Sequence, residues 1–364
     1  MIVMIKIVQI WNNNFKEFAD ELEKSVDTSH IILDFLLEVR YIPVDRESFD
    51  RIINFAFAKD IPVTILTPWD RYAPPLIDFQ QLRYARINIV HWETFWFRRT
   101  YTAWSSNSEK VQENLSKGLD ITDLRFGNPP LEFKFPYITL NNIAKRHRCL
   151  VMDKLAKHNL IDTGAIVWRD ILHDCTDIRH TFPEGVTDSV FHNYPYQYWK
   201  PKRMFLDQEM GPWLKNQETL PIEFTQSFMQ IVTESDDETV FFSEKTATPI
   251  LFNKPFLVAS SAGFHRNLES QGFELYTELF DYSFDEESNI HVRYEKLIEN
   301  VKRYAMMDSS QLNYIYSDVY EKLVHNKEHA MKLVNDIPPK VQQVIDMLKR
   351  ENVTDYPGPL NIFL

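Results

Sequence analysis

The sequence has 364 residues, of which 44% are hydrophobic and 25% charged, a composition typical of a folded protein with two domains of ordinary size. The formal net charge of −12 argues against a general nucleic-acid or anionic-membrane binder, because such proteins carry a basic surface. We therefore expect neither a membrane nor a nucleic acid as a partner. One local basic pocket for a phosphate remains compatible with this charge.

The cysteine content and the N-terminal sequence bear on cellular location. The two cysteines, Cys149 and Cys175, form neither a disulfide framework nor a Cys-x-x-Cys metal motif, which fits a reducing compartment. The N-terminal apolar run lacks a signal-peptide cleavage pattern, and no apolar run approaches the length of a transmembrane helix. These features predict a cytoplasmic protein.

Continuous apolar strands alternate with amphipathic helices in the first part of the chain. The predicted strands span 5–10, 30–37, 62–67 and 87–92, and the predicted helices span 15–25 and 46–60. Strands of this kind, separated by helices, indicate a parallel sheet that is covered on both faces. We therefore predict a doubly wound, Rossmann-like α/β domain over residues 1–130.

The same alternation resumes after a stretch at 127–136 that is typical of a linker. The later predicted strands span 137–142, 165–168 and 255–259, with a further strand ending near 234, and the predicted helices span 148–160 and 264–272. Residues 170–220 are predicted to be irregular, and the pattern from 285 onward is helical. We predict a second doubly wound, Rossmann-like domain over 131–310 and a helical extension over 311–364.

The triplet Ser243-Glu244-Lys245 lies where a predicted strand gives way to a helix. A helix that begins there presents backbone N–H groups and a partial positive charge, which favour a phosphate, and Lys245 adds a full charge. Glu244 suits ribose or sugar hydroxyls instead. Pro249 either kinks this helix or lies at its first position, with Thr248 as the N-cap. The alternative is an ordinary Glu-Lys pair on a solvated face.

A second group of candidates surrounds the end of the strand predicted at 137–142. Asn141 is followed by a basic segment from Lys145 to Arg148, and the fork of an arginine suits anionic groups. The alternative is a solvated basic loop. Glu234, at the end of a later predicted strand, is a further carboxylate that could line the same pocket as Glu244.

The order of these motifs resembles the donor-binding half of α-1,3-fucosyltransferase-like enzymes and, most closely, the glycosyltransferase-like proteins of phage genomes. The resemblance covers about residues 137–305. It is carried by Asn141-x(5)-His147-Arg148, Val232-Thr233-Glu234-Ser235 and Ser243-Glu244-Lys245. It implies the GT-B architecture, in which two Rossmann-like domains face a cleft, and it implies a nucleotide-sugar donor.

The resemblance also implies roles for individual residues. Lys245 and Arg148 would contact the nucleotide diphosphate, and the two glutamates would contact ribose and sugar hydroxyls. The full set of predicted donor-binding residues is Asn141, Lys145, Arg148, Glu234, Ser243, Glu244 and Lys245. Ser235 and Asn253 depart from the family pattern next to the sugar-recognition region, so the sugar stays open.

The implied chemistry is displacement at the anomeric carbon with inversion. An acceptor hydroxyl, on a glycan or another molecule, loses its proton to a carboxylate while positive charge stabilises the departing diphosphate. The chain contains no Asp-x-Asp motif, and we expect neither a metal nor a cofactor; a GDP-sugar or UDP-sugar would be the substrate. For a phage-encoded protein, the location would be the host cytoplasm.

The catalytic base is expected in the N-terminal half, at a predicted strand end. Glu93 is the preferred candidate because Trp92 and Trp96 could flank a sugar ring, and Glu38 and Asp70 are the alternatives. The His-, Asp- and Cys-containing segment at 173–180 is predicted to be a polar loop and not a metal site.

Two other functions compete with the glycosyltransferase hypothesis. One is a non-catalytic binding or scaffold protein that retains the two-domain α/β shell. The other is a phosphate-handling enzyme that uses the basic segment as an anion site. The chain lacks the glycine-rich signatures of P-loop and dinucleotide-binding enzymes.

Overall fold

The computed structural model shows an α/β protein whose chain divides into two compact units. It describes residues 4–9, 15–36, 46–67, 86–92, 97–98, 100, 132–141, 146–168, 222–235, 237 and 240–353. One unit is drawn from Met1–Trp96 and Leu333–Leu364, and the other from Phe97–Lys332. No helix in these described ranges combines the length and apolar character needed to cross a membrane.

The first unit contains a parallel sheet of four described strands. Its elements are β1 (Met4–Gln9), α1 (Phe15–Lys24), β2 (Thr28–Asp34), α2 (Arg46–Ala58), β3 (Val63–Thr67) and β4 (Ile87–His91). The strands are ordered β1-β2-β3-β4, with Ile32 paired to Ile7 and to Thr64. All four strands and both helices were predicted from their apolar patterns.

The winding of this sheet differs from our prediction. Among its described strands the spatial order follows the chain without reversal, so the doubly wound order is not present in this part of the unit. Right-handed crossovers in such an order place successive helices on one face. Accordingly, α1 and α2 pack together, and Arg51 of α2 pairs with Asp20 and Glu23 of α1 at 2.7 and 2.8 Å. The apolar pattern of the sequence indicates which strands are buried, but it does not indicate the order of the strands within the sheet.

The second unit contains a parallel sheet that does reverse direction. Its elements are β5 (Phe135–Asn141), α3 (Arg146–Lys157), β6 (Ala165–Trp168), α4 (Ile222–Gln226), β7 (Ser227–Thr233), α5 (Glu244–Leu251) and β8 (Phe256–Ala259). The strand order is β6-β5-β7-β8, so the chain builds outward from β5 in one direction and then returns to build in the other. The doubly wound prediction is therefore confirmed for this sheet. The strand β5 begins inside the stretch that was predicted as a linker.

Helices dominate the remainder of the described chain. They are α6 (Phe264–Ser270), a 3₁₀ turn (Tyr282–Glu286), α7 (Ile290–Lys302), α8 (Ser309–Asp318), α9 (Tyr320–Asn335) and α10 (Pro339–Arg350). The helix α7 packs on α3, where Glu295 accepts hydrogen bonds from Lys157 and His158 and pairs with Lys154. Burial raises the pKa of Glu295, but these three partners outweigh it and lower the pKa to about 2. This ion-paired cluster fixes the helix that carries Arg148.

Lys254 is a buried cation at the amino end of β7, opposite the edge where the predicted site residues lie. Its side chain is 5% exposed, its ammonium donates to the Ser227 carbonyl, and it lies 4.8 Å from the centroid of the Phe224 ring. Burial lowers the pKa of Lys254 to about 7. The lysine of the unfolded chain stays protonated up to a pH near its ordinary pKa. The folded state disfavours that protonated form, because the ammonium is buried.

We predict that this lysine makes the protein more stable as the pH rises from 7 to 9. In that interval the unfolded chain binds a proton at Lys254 that the folded chain has released, so the free energy of unfolding increases by roughly 1 kcal/mol per pH unit. Lys254→Met should flatten this increase, as measured by urea denaturation at pH 7, 8 and 9. Lys296→Met, at a half-exposed lysine of α7, is the control and should keep the wild-type slope. Equal slopes for Lys254→Met and wild type would contradict the prediction.

Candidate functional site

The predicted donor-binding residues that the structure describes meet at the carboxyl edge of the second sheet, where the strand order reverses. β5 ends at Asn141 and β7 ends at Thr233, and the Thr233 hydroxyl donates to the Asn141 side-chain oxygen at 2.6 Å. The Asn141 amide donates to the Thr139 hydroxyl at 3.0 Å. Asn141 therefore holds the two central strands in register at the switch point, which is the position where open α/β sheets bind ligands.

Glu234 follows β7 and is completely buried. One of its carboxylate oxygens accepts hydrogen bonds from the Ser235 backbone N–H and the Ser243 hydroxyl, at 3.0 and 2.5 Å. The other accepts from the Ser243 backbone N–H and the Thr246 hydroxyl, at 3.1 and 2.5 Å. A buried carboxylate is tolerated when donors from the protein replace water in this way. Glu234 therefore joins the end of β7 to the start of α5.

The helix α5 begins inside the predicted triplet. Ser243 is its N-cap, and the Ser243 hydroxyl accepts the Lys245 backbone N–H at 3.2 Å. Pro249 lies inside the helix, so the alternative in which Thr248 is the N-cap is wrong. A proline at this depth removes a helical hydrogen bond, and such a loss is costly. The Ser243 cap and the bond from Thr246 to Glu234 hold the first turn in place despite that loss.

Lys245 points back across the first turn of α5. Its ammonium lies 2.7 Å from a Glu244 carboxylate oxygen and donates to the Ser235 hydroxyl at 3.0 Å. The Ser243 hydroxyl is 3.5 Å away. The Lys245 and Glu244 side chains are 20% and 17% exposed, so a ligand at this edge could reach both.

The described part of the basic segment, from Arg146 to Arg148, forms the first turn of α3, whereas we predicted a helix that begins only at Arg148. The helix starts at Arg146 and has no acidic residue in its first turn. His147 Nε2 bonds to the Glu234 backbone oxygen at 2.6 Å, and an Arg148 amino group donates to the same oxygen at 3.4 Å. His147 Nδ1 also lies 3.9 Å from an Asp237 oxygen. These tertiary contacts hold basic residues where the helix dipole disfavours them, and an anion there would relieve that repulsion.

The helix after β8 offers a contrast, because the protein fills its N-terminus with a carboxylate of its own. Asp285 accepts the backbone N–H groups of His265 and Arg266, both at 3.0 Å, and the His265 ring at 2.9 Å. The Val258 backbone N–H donates to His265 Nε2, so Nδ1 carries the proton that is donated to Asp285. Burial raises the pKa of Asp285, but the hydrogen bonds from His265 outweigh it and hold the pKa below its ordinary value.

Arg148 and Lys245 therefore converge, although they come from separate helices. Arg148 reaches the backbone of Glu234, and Lys245 reaches the side chain of the next residue, Ser235. Two cationic side chains and two helix N-termini meet at one corner of the sheet. This combination suits a phosphate or diphosphate group.

Some predicted residues cannot be placed relative to this corner. Lys145 and the candidate bases Glu93, Glu38 and Asp70 lie outside the described residues, as does the segment 173–180. In contrast, the structure adds His147 and Thr246 to the site. Thr246 directly follows the triplet, but only the fold reveals that its hydroxyl binds Glu234.

Comparison with known proteins found no relative. No family model matches the chain, and no match was found among curated proteins or among solved structures.

We predict that Glu234→Gln destabilises the second unit by about 2–4 kcal/mol, because it replaces a buried carboxylate that accepts four hydrogen bonds with an amide that cannot accept all of them. Each carboxylate oxygen accepts one backbone N–H, so the new amide nitrogen must face the N–H of either Ser235 or Ser243. Urea denaturation of the purified variant measures this loss. Glu269→Gln, at an exposed acid of α6, is the matched control and should change stability little. A Glu234→Gln variant as stable as this control would contradict the conclusion that Glu234 joins the end of β7 to the start of α5.

Proposed function

We propose that the protein is a glycosyltransferase of GT-B architecture, which transfers a sugar from a nucleotide-diphosphate donor to an acceptor hydroxyl with inversion. The observation that carries the proposal is the convergence of Arg148 and Lys245 at the Glu234–Ser235 corner. The location of this corner at the switch point of a doubly wound sheet supports a nucleotide ligand.

The proposed chemistry assigns the two cations to the leaving group. When the bond between the sugar and the diphosphate breaks, negative charge grows on the phosphate oxygens and must be stabilised. Arg148 offers a planar fork of donors and Lys245 offers a concentrated charge. The N-termini of α3 and α5 add partial charges of the same sign. We propose that this stabilisation comes from the protein's own groups and not from a metal.

The carboxylates take different parts in this proposal. Glu244 is partly exposed and is assigned to the ribose hydroxyls. Glu234 accepts four hydrogen bonds from the protein, so a ligand hydroxyl would have to displace one of them. We therefore propose that Glu234 positions Ser243 and Lys245. Asn141 likewise positions the strand ends. Glu93 remains the proposed base for the acceptor hydroxyl.

A non-catalytic binding or scaffold protein is the second candidate. It is favoured by the observation that two charged groups of the corner already have partners within the protein: Glu234 accepts four hydrogen bonds, and Lys245 is paired with Glu244. A corner of this kind is stable without a ligand. The two candidates differ in whether the corner binds a nucleotide.

We predict that GDP, UDP or ADP raises the melting temperature of the protein. A ligand that binds the folded state stabilises it by mass action, by about 2.7 kcal/mol when its concentration is a hundred times its Kd. Thermal-shift measurements at millimolar nucleotide test this. Lys245→Ala should abolish the shift, and the shift of each variant is measured against its own melting temperature without nucleotide, because the substitution also removes the ion pair with Glu244.

Arg148→Ala provides a second test from the other helix, and it too should remove the shift. Lys296→Ala removes one positive charge elsewhere in the second unit and serves as the control, with the wild-type shift expected. The absence of a shift with every nucleoside diphosphate would overturn the proposal. A full shift in both Lys245→Ala and Arg148→Ala would favour the scaffold alternative.

A further inference from the structure

Three potential metal ligands meet where the C-terminal end of α3 packs on α7. His158 directly follows α3, and Glu295 and Glu299 lie four residues apart on one face of α7. His158 Nε2 is 2.6 Å from Glu295 Oε1 and 3.8 Å from Glu299 Oε1. The three ligand atoms all lie within 4.8 Å of one another. An imidazole nitrogen and two carboxylate oxygens around one point are a typical partial ligand set for a transition metal.

The distances are close to those that a zinc ion requires. Zinc holds histidine nitrogen and carboxylate oxygen at about 2.0–2.2 Å in tetrahedral geometry, so bound ligand atoms lie roughly 3.3 Å apart. The separation between His158 Nε2 and the half-exposed Glu299 is near this value. The separation from Glu295 is shorter, because His158 donates a hydrogen bond there. A metal ion would take the place of the shared proton, since metal binding requires deprotonated ligand atoms.

Three lysines compete with a metal ion for these carboxylates. Lys154 pairs with Glu295 Oε2 at 2.9 Å, and Lys157 pairs with Glu295 Oε1 at 3.0 Å. Lys302 pairs with Glu299 at 2.8 Å. Lys157 and Lys302 are exposed, and an exposed ion pair contributes little, so each can move into water. The buried Lys154 binds the other oxygen of Glu295 and can stay there, where it orients the carboxylate.

A buried acid of α3 favours the release of Lys157. Asp153 is 8% exposed, and its Oδ2 has no hydrogen-bond partner among the described residues. Burial raises the pKa of Asp153, against the nearby charges of Lys154 and Lys157. Asp153 lies four residues before Lys157, a spacing at which an acid and a lysine pair on a helix. A metal ion on Glu295 would therefore leave Lys157 free to serve as the counter-ion of Asp153.

We propose that His158, Glu295 and Glu299 form a binding site for one divalent transition-metal ion, with zinc the best match. The imidazole favours such an ion over Mg²⁺ and Ca²⁺, which take oxygen ligands, and water completes the coordination. At 1.5 Å per helical residue, His158 lies roughly 16 Å along α3 from His147. The ion therefore takes no part in the chemistry proposed for the corner. It would fix α3, the helix that carries Arg148, on α7.

The first test is isothermal titration of the metal-free, full-length protein with Zn²⁺. We expect wild type to bind Zn²⁺ at this site, and His158→Gln and Glu299→Gln each to weaken that binding at least about tenfold, because each removes a ligand. Zn²⁺ should also raise the melting temperature of wild type more than that of either variant. The exposed position of Glu299 makes Glu299→Gln compatible with folding.

Lys157→Met distinguishes a metal site from a cluster of ion pairs. It removes a competing cation, so Zn²⁺ should bind at least about threefold more tightly than to wild type. A purely structural cluster would gain no affinity. His325→Gln, at an exposed histidine of α9, is the control and should keep the wild-type affinity. The inference is overturned by absence of Zn²⁺ binding in wild type, by unchanged binding in both His158→Gln and Glu299→Gln, or by unchanged binding in Lys157→Met.

Discussion

The carboxylate of Glu234 is the group on which the geometry of the site depends. It is excluded from solvent, and its two oxygens accept four hydrogen bonds from the end of β7 and the start of α5. Its backbone oxygen accepts from His147 and Arg148 of α3. A single residue therefore ties together the strand and both helices that surround the corner. Removing any of these partners would take a hydrogen bond from a buried oxygen, which is costly because water cannot replace the lost donor there.

The contacts around Glu234 hold positive charge at one corner of a protein whose net charge is −12. The first turn of α3 carries basic residues and no acid, against the preference of the helix dipole, and Lys245 pairs with its neighbour Glu244. At the next helix along the sheet edge, by contrast, Asp285 fills the N-terminus. The N-terminus of α6 thus binds a carboxylate of the protein itself, whereas cationic side chains lie at the N-termini of α3 and α5.

The sequence predicted the elements of both sheets well, because buried parallel strands leave continuous apolar runs that are hard to mistake. It placed Ser243, Glu244 and Lys245 at a helix start, which the Ser243 cap confirms. It did not predict that α3 begins at Arg146, because basic residues are a poor signal for a helix start and tertiary contacts with Glu234 and Asp237 hold them there. Nor did it predict the order of the first sheet, since strand neighbours are chosen by crossover connections that apolar periodicity does not record. The sequence also did not predict that Glu234 accepts four hydrogen bonds from the protein. Two of these come from the hydroxyls of Ser243 and Thr246, and no sequence pattern marks those residues as its partners.

The reversal of strand order in the second sheet has a consequence for how the protein acquires its shape. Neighbouring strands β5 and β7 are far apart along the chain: the bond from Thr233 to Asn141 spans 92 residues, and the bond from His147 to Glu234 spans 87. The bonds from Ser243 and Thr246 to Glu234 span only 9 and 12. Contacts that close long loops cost more chain entropy and tend to form late, whereas local ones form early. The half of the corner contributed by α5 should therefore assemble before the half contributed by α3.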